Sequence, residues 1–401
     1  MADTQTTIHG TVDPRFEGVR EAFARNFAES DELGASVHVI VDGEVVVDLW
    51  GGVADAESGR PWERDTLVNV WSSTKGVLAT AAHILVDRGL LDLDAPVAQY
   101  WPEFAQAGKE RIPVRWLLSH RAGLPAIDGD RDLPLLVCQD WDAITSALAA
   151  TRPQWEPGTK HGYHTVTFGW LVGEVIRRIT GEMPGDFIRR EITEPLDAPF
   201  YLGVPDEVHE QIATLESQPV GGTVPPAAGG TPSSAAASGF TPNPDSLTAR
   251  SILLSTPPFA GHPNSEGWRR AQMPGMNGHA SARGLARIYA PLSLGGSIGE
   301  VTLMRPETLA RAHTIDAEGP DAVLIMKTRR SLGYMHPVME NGDRRGPDAF
   351  GHNGAGGSMA FADERRRVAF GYVMNRMWRG GLMTPDPRAQ RLAGAVYEAL
   401  G

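Results

Sequence analysis

The chain has 401 residues, 41% hydrophobic and 21% charged, with a net charge of −12. That balance is ordinary for a globular protein and argues against nucleic-acid binding, which usually shows a basic face. The single cysteine, Cys138, excludes an intrachain disulfide framework and a cysteine-rich zinc site. The length allows two or three domains, and 45 glycines and 30 prolines point to many turns and some long loops.

Residues 1–10 have neither a basic nor an apolar run, so no secretory signal is expected. No stretch approaches 18 apolar residues, so no membrane-spanning helix is expected either, and the default is a soluble cytoplasmic protein. Phe16, Val19, Phe23 and Phe27 recur at helical spacing and predict an amphipathic helix over 14–29. Two β-rich runs, 35–41 and 44–50, flank Asp42-Gly43, a strong hairpin signal because the tight turn needs positive φ at its centre. Val77, Leu78, Ala81, Ile84 and Leu85 predict a buried helix stopped at Gly89.

Further helices are expected at 113–119, 141–150, 165–180 and 184–192, with few strand signals among them. The Gly/Pro/Ala/Ser-rich stretch 218–245 has no periodicity and reads as a linker or as a long loop over an active site. Strands return at 359–363 and 368–375 around a charged turn, and a helix closes the chain at 387–400. With strands at both ends and helices between, the simplest architecture is an α/β sandwich built from both termini with an inserted helical domain.

Ser72-x-x-Lys75 opens the buried helix and leads the chemistry. Residues three apart share a helix face, so the hydroxyl and amine meet. A serine hydroxyl needs a neighbour to take its proton, and a lysine amine does so once its pKa is lowered. The helix N-terminus adds a positive field and free N–H groups for an oxyanion. The pattern also arises by chance, so its place in the helix matters. Tyr163, some 90 residues on, is a candidate proton shuttle. The glycine-rich run Gly351-His352-Asn353-Gly354-Ala355-Gly356-Gly357 precedes a strand, where glycine lets backbone approach a ligand closely.

Two patterns mislead. Gly295-Gly296-Ser297-Ile298-Gly299 matches the G-x-S-x-G nucleophile elbow, yet Pro291 lies in the run before it and no convincing helix follows. His161-x-x-His164 pairs two imidazoles without a third ligand at recognisable spacing, so no metal is expected. Cys138 reads as a small apolar core residue.

Ser72-Ser73-Thr74-Lys75, then Leu117-Leu118-Ser119-His120-Arg121-Ala122-Gly123-Leu124-Pro125, then Tyr163, then His352-Asn353-Gly354 together resemble the serine β-lactamase and penicillin-binding protein superfamily. They are most similar to its class C-like branch and to the family VIII carboxylesterases, over residues 15–400. The resemblance implies an α+β fold: an antiparallel sheet flanked by helices, with an inserted helical domain. It divides the chain into 1–75 plus 275–401 and a mainly helical 76–274, and makes 218–245 an active-site rim.

It also implies roles. Ser72 is the acylated nucleophile, Lys75 activates it, and Tyr163 moves protons. The N–H groups of Ser72 and Ala355 form an oxyanion hole, and His352, Asn353 and Gly354 bind substrate. His120 is structural, and no cofactor is required. Two departures follow. Thr165 stands where many class C-type members have Asn, and His352 where they have the Lys of Lys-Thr-Gly. A histidine is mostly neutral near pH 7, so the expected substrate is a neutral carboxylic ester, with β-lactams or D-Ala-D-Ala peptides as the alternative.

Overall fold

The structure is a computed structural model that describes residues 6–128, 133–216, 243, 245–253, 259–378, 380 and 385–401. The 218–245 stretch therefore lies outside the described residues, apart from Asn243 and Asp245.

The principal sheet is antiparallel. Its strands are β1 (Ile8–Val12), β2 (Gly34–Val41), β3 (Glu44–Asp55), β4 (Phe350–Asn353), β5 (Met359–Asp363) and β6 (Val368–Met374), in the spatial order β1-β3-β2-β6-β5-β4, and Arg60–Pro61 adds a seventh short strand on β3. Asp42 (φ +52°) and Gly43 (φ +85°) close the β2–β3 hairpin with the positive dihedrals a primed turn demands. The central pairing runs from Val368 opposite Val41 to Met374 opposite Ala35, so the two ends of the chain meet in mid-sheet.

The main helices are α1 (Glu17–Glu29), α2 (Thr74–Asp87), α3 (Trp141–Ala150), α4 (Thr167–Thr180), α5 (Ala282–Tyr289) and α6 (Pro387–Leu400). Strand alternation feeds two layers. Val37, Val39, Phe370 and Tyr372 pack with Phe16 and Phe23 at the start of the chain and with Leu392 and Val396 of α6. Ile40, Ala360, Ala369 and Val373 face the other way, toward Leu285 and Ala286 of α5. Because both faces are covered, every residue of β2, β5 and β6 is buried. Helix α5 lies unusually close to the sheet: a Cβ at Gly371 would stand 2.2 Å from the Ala282 carbonyl oxygen.

The middle of the chain is helical as the periodicity predicts. Helix α2 is buried from Thr74 through Leu85 and packs on α4, and Gly89 (φ +70°) follows its end. The expected helix at 184–192 is shorter, Pro184–Ile188, and continues as a π-type turn over Arg189–Thr193. The same apolar core that holds Leu78, Ile84 and Trp170 also takes in Ile40, Ala360 and Ala369, so the helical region and the sheet share one interior. One small sheet escapes sequence reading because its strands have two residues each: Val68–Asn69 and Phe200–Tyr201 both pair with His279–Ala280. It carries the chain directly into Ser72.

The G-x-S-x-G segment is no elbow. Ser297–Ile298 pairs with Val301–Thr302 in a short hairpin, and the Ser297 hydroxyl donates to Thr302 Oγ1 at 2.9 Å.

The close approach at Gly371 gives a stability test. Gly371→Val should lower unfolding free energy by about 1–3 kcal/mol, the usual range for overpacking, read as a drop in urea midpoint at unchanged m-value.

Candidate active site

Ser72 sits in a 3₁₀ turn, Trp71–Ser73, that runs into the first turn of α2. Trp71 has φ +46°, a region bulky residues seldom occupy, so the surroundings must hold the backbone there. They do so in two ways. The Trp71 ring packs edge-on against Trp268 at 5.4 Å. The Ser73 hydroxyl lies 3.2 Å from Ser358 Oγ and donates to the His352 carbonyl at 3.3 Å, while Ser358 Oγ donates to the Val70 carbonyl at 2.8 Å. These bonds seam the Ser72 segment to β4 and the residues after it.

Lys75, one helical step beyond, is fully buried, and its Nζ lies 3.0 Å from Ser72 Oγ. The same nitrogen donates to the backbone carbonyls of Thr165 at 2.7 Å and Gly275 at 2.6 Å. Burial first, and the nearby Arg330 second, hold this amine well below the ordinary lysine value. A neutral amine has two N–H groups and one lone pair. With both N–H groups on carbonyls, the lone pair is left for the Ser72 hydroxyl proton, which is the arrangement a general base requires.

Tyr163 is buried and borders the same cleft as Ser72. Burial pushes its phenol up to about 12, against the opposing pull of the nearby Ser72 hydroxyl and Arg330. Its backbone N–H donates to Asp321 Oδ1 at 2.9 Å. Its ring contacts His120 at 5.1 Å and stacks near His352 at 6.0 Å. Thr165 uses its carbonyl on Lys75, and its side-chain oxygen accepts from Ser251 Oγ at 2.8 Å.

The glycine run forms a tight turn after β4. Gly354 N–H donates to the Ser358 carbonyl at 2.7 Å, and Gly357 N–H to the Gly354 carbonyl at 3.2 Å. A Cβ on Gly354 would stand 2.3 Å from the Val70 carbonyl oxygen, so only glycine lets this turn reach the Ser72 segment. Gly356 and Gly357 have φ of +81° and +124°. Arg388, in the first turn of α6, donates to the Gly356 carbonyl at 3.1 Å and pairs with Asp386 and the buried Glu32. Neither the Ser72 N–H nor the Ala355 N–H is used in a backbone hydrogen bond among the described residues.

One cleft is bordered by Ser72, Tyr163, Asn353, Gly354, Ala355 and Arg330. His352 is not on it. Its side chain is buried, Nδ1–H donates to the Asn353 carbonyl at 2.8 Å, and burial, then Lys75, hold the imidazole well below its usual value. Strand alternation explains this placement: with Asn353 turned to the cleft, His352 points into the interior. The structure thus gathers Ser72, Lys75, Tyr163, Asn353, Gly354 and Ala355, and sets His352 behind Tyr163 as an uncharged packing partner.

Among the described residues no group of three or more metal-ligating side chains occurs. His161 Nε2 lies 2.9 Å from Thr328 Oγ1. His164 donates from Nδ1 to the Gly162 carbonyl at 2.7 Å and accepts at Nε2 from the Leu124 N–H at 2.9 Å. His120 accepts the His164 N–H at 3.1 Å. All are structural. Cys138 is buried, its thiol pushed up to about 12 by desolvation. Sequence reading missed Ser251, Asp321 and Arg330, none of which sits in a motif; only folding brings them to Tyr163.

Comparison with known proteins follows this geometry. The family described as Beta-lactamase matches residues 19–395. The Esterase/beta-lactamase LipL of Mycobacterium tuberculosis is 34% identical, over 95% of this chain and 86% of its own. The solved structure of a penicillin-binding protein homolog from Caulobacter crescentus is 38% identical, with a TM-score of 0.85, covering 98% of this chain and 100% of that one. A family VIII carboxylesterase is 37% identical at a TM-score of 0.84, with the same coverage. No helix among the described residues is long and apolar enough to cross a membrane. The match along almost the entire chain means that this protein belongs to the Beta-lactamase family, in the serine β-lactamase and penicillin-binding protein superfamily, with esterases among its neighbours.

Proposed function

We propose that the protein is a carboxylesterase that cleaves small neutral esters through an acyl-Ser72 intermediate. The observation that carries the reading is the Lys75 amine, sealed from water with both N–H groups on carbonyls and 3.0 Å from Ser72 Oγ. Ser72 Oγ bonds to the ester carbonyl carbon as its proton moves to Lys75. The carbonyl oxygen becomes an oxyanion between the N–H groups of Ser72 and Ala355. The intermediate collapses, and the alcohol leaves with a proton from Tyr163, which regains one from Lys75. Water then attacks acyl-Ser72 by the reverse proton route and frees the acid. An alcohol in place of water gives transesterification.

Esters rather than anionic amides are favoured by the buried, uncharged His352 at the position where class C-type members carry lysine. The names of the relatives LipL and the family VIII carboxylesterase support the same reading. The alternative, β-lactam or D-Ala-D-Ala-type amide hydrolysis by the same three residues, is favoured by the name Esterase/beta-lactamase of that first relative. No metal or cofactor enters either scheme. Domain boundaries at 75/76 and 274/275 are part of this proposal.

A panel of short p-nitrophenyl esters and nitrocefin separates the two: ester turnover well above nitrocefin turnover is expected, and the reverse order overturns the ester reading. Ser72→Ala should lower kcat by at least about 10³-fold, since the nucleophile is lost, while Ser297→Ala leaves it unchanged.

The pH profile should follow Lys75. Its value is lowered, so it acts as base once deprotonated, and kcat/KM should fall on acidification as Lys75 takes up a proton. Tyr163, pushed up to about 12, should contribute no alkaline fall below that range.

A further inference from the structure

Tyr163 faces four basic groups, and three of them are disposed to be neutral. Lys75 Nζ lies 5.1 Å from the ring centroid, and the rings of His120 and His352 lie at 5.1 and 6.0 Å. Each is buried and held well below its ordinary value chiefly by desolvation. The fourth is Arg330, at the end of the short strand Lys327–Arg330. Its Cζ lies 4.6 Å from the Tyr163 centroid, and the residue is 1% exposed yet borders the cleft beside Ser72. A guanidinium keeps its charge across the pH range in which enzymes work.

Asp321 is the clamp. Its Oδ1 accepts the backbone N–H groups of Tyr163, Val323 and Leu324, each at 2.9 Å. Its Oδ2 accepts from Arg330 Nη2 at 3.4 Å. One carboxylate therefore fixes both the Tyr163 backbone and the guanidinium over its ring. The ion pair is long, and Arg330 Nε has no hydrogen-bond partner among the described residues, so the arginine charge is only partly neutralised.

We propose that Arg330, clamped by Asp321 against the Tyr163 ring, is a positioning residue that supplies the fixed positive charge of this acyl-transfer site, a charge that residues 352–354 do not carry. It acts through Lys75 and Tyr163. When Tyr163 gives its proton to the departing alkoxide oxygen and takes one from Lys75, negative charge grows on the phenol oxygen, and a nearby cation stabilises it. The same cation opposes a second positive charge on Lys75 and so favours the neutral base. The inference rests on Ser72, Lys75 and Tyr163 being the reacting set.

The test is the pH dependence of kcat/KM for a short p-nitrophenyl ester in wild type, Arg330→Gln, Arg330→Lys and Ser72→Ala. Removing the charge lets Lys75 hold its proton to higher pH, so the acidic limb of Arg330→Gln should move upward by roughly one unit, a tenfold loss on that limb recovered at higher pH. Arg330→Lys sets an ammonium against the Asp321 carboxylate, which favours its charged form, and should leave the limb near its wild-type place. A pH-independent loss in Arg330→Gln, or an equal shift in Arg330→Lys, overturns the proposal. If Arg330→Gln does not fold because Asp321 is left unpaired, the double variant Arg330→Gln/Asp321→Asn is read the same way. Activity retained in Ser72→Ala overturns the reacting set itself. An inactive Ser72→Ala with an unmoved limb in Arg330→Gln overturns only the role of Arg330.

Discussion

A lysine amine shut away from water, with no counter-ion among the described residues, is the constraint on which this structure turns. Burying a charged ammonium costs several kcal/mol unless a partner compensates, and among the described residues Lys75 contacts no carboxylate. Its bonds go instead to Ser72 Oγ and to two main-chain carbonyls, one 90 and one 200 residues away in sequence. That solution works for a neutral amine, and it obliges the start of α2, the loop at Thr165 and the segment at Gly275 to converge. The reactive lone pair is thus a product of long-range packing, and the chemistry cannot be separated from the fold that buries it.

The surroundings extend the same logic. Histidines 120 and 352 flank Tyr163 and His164 packs against His120; His120 and His352 are each committed through one nitrogen to a main-chain group, and His164 through both. They fill space and fix backbone without adding charge. Positive charge enters through Arg330, and its partner Asp321 spends its other oxygen on the Tyr163 backbone. On the far side of the cleft the glycine turn is held from behind by Arg388, which links α6 and the buried Glu32 to the Gly356 carbonyl. The Ser72 segment, Tyr163 and the glycine turn therefore each have an anchor outside their own motif.

Much of this was legible in the sequence. The Asp42-Gly43 hairpin, the buried helix after Ser72, the 359–374 hairpin and the closing helix all carry their period or turn chemistry locally, and the structure has them within a residue or two, except that the second strand of the first hairpin runs on past Gly51 and Gly52 to Asp55. Motif spacing along the chain also pointed to Ser72, Lys75, Tyr163 and the glycine turn. The two-residue strands at 68, 200 and 279 were not legible, because pairs that short have no periodicity and exist only through their partners. Nor was the inward turn of His352. The motif placed it beside the substrate, but alternation along β4 gives the cleft to Asn353 and the interior to His352.

By itself the sequence determined which residue types are available for the proposed chemistry, in what order, and on which local elements. Serine and lysine three apart on a helix must share a face, and glycines must mark a close backbone approach, wherever the rest of the chain goes. Tertiary structure alone decided their protonation and orientation. Desolvation of Lys75, the clamp of Asp321 on Tyr163 and the place of Arg330 depend on contacts between segments far apart in the chain, and burial and field are properties of that packed interior, not of any one segment.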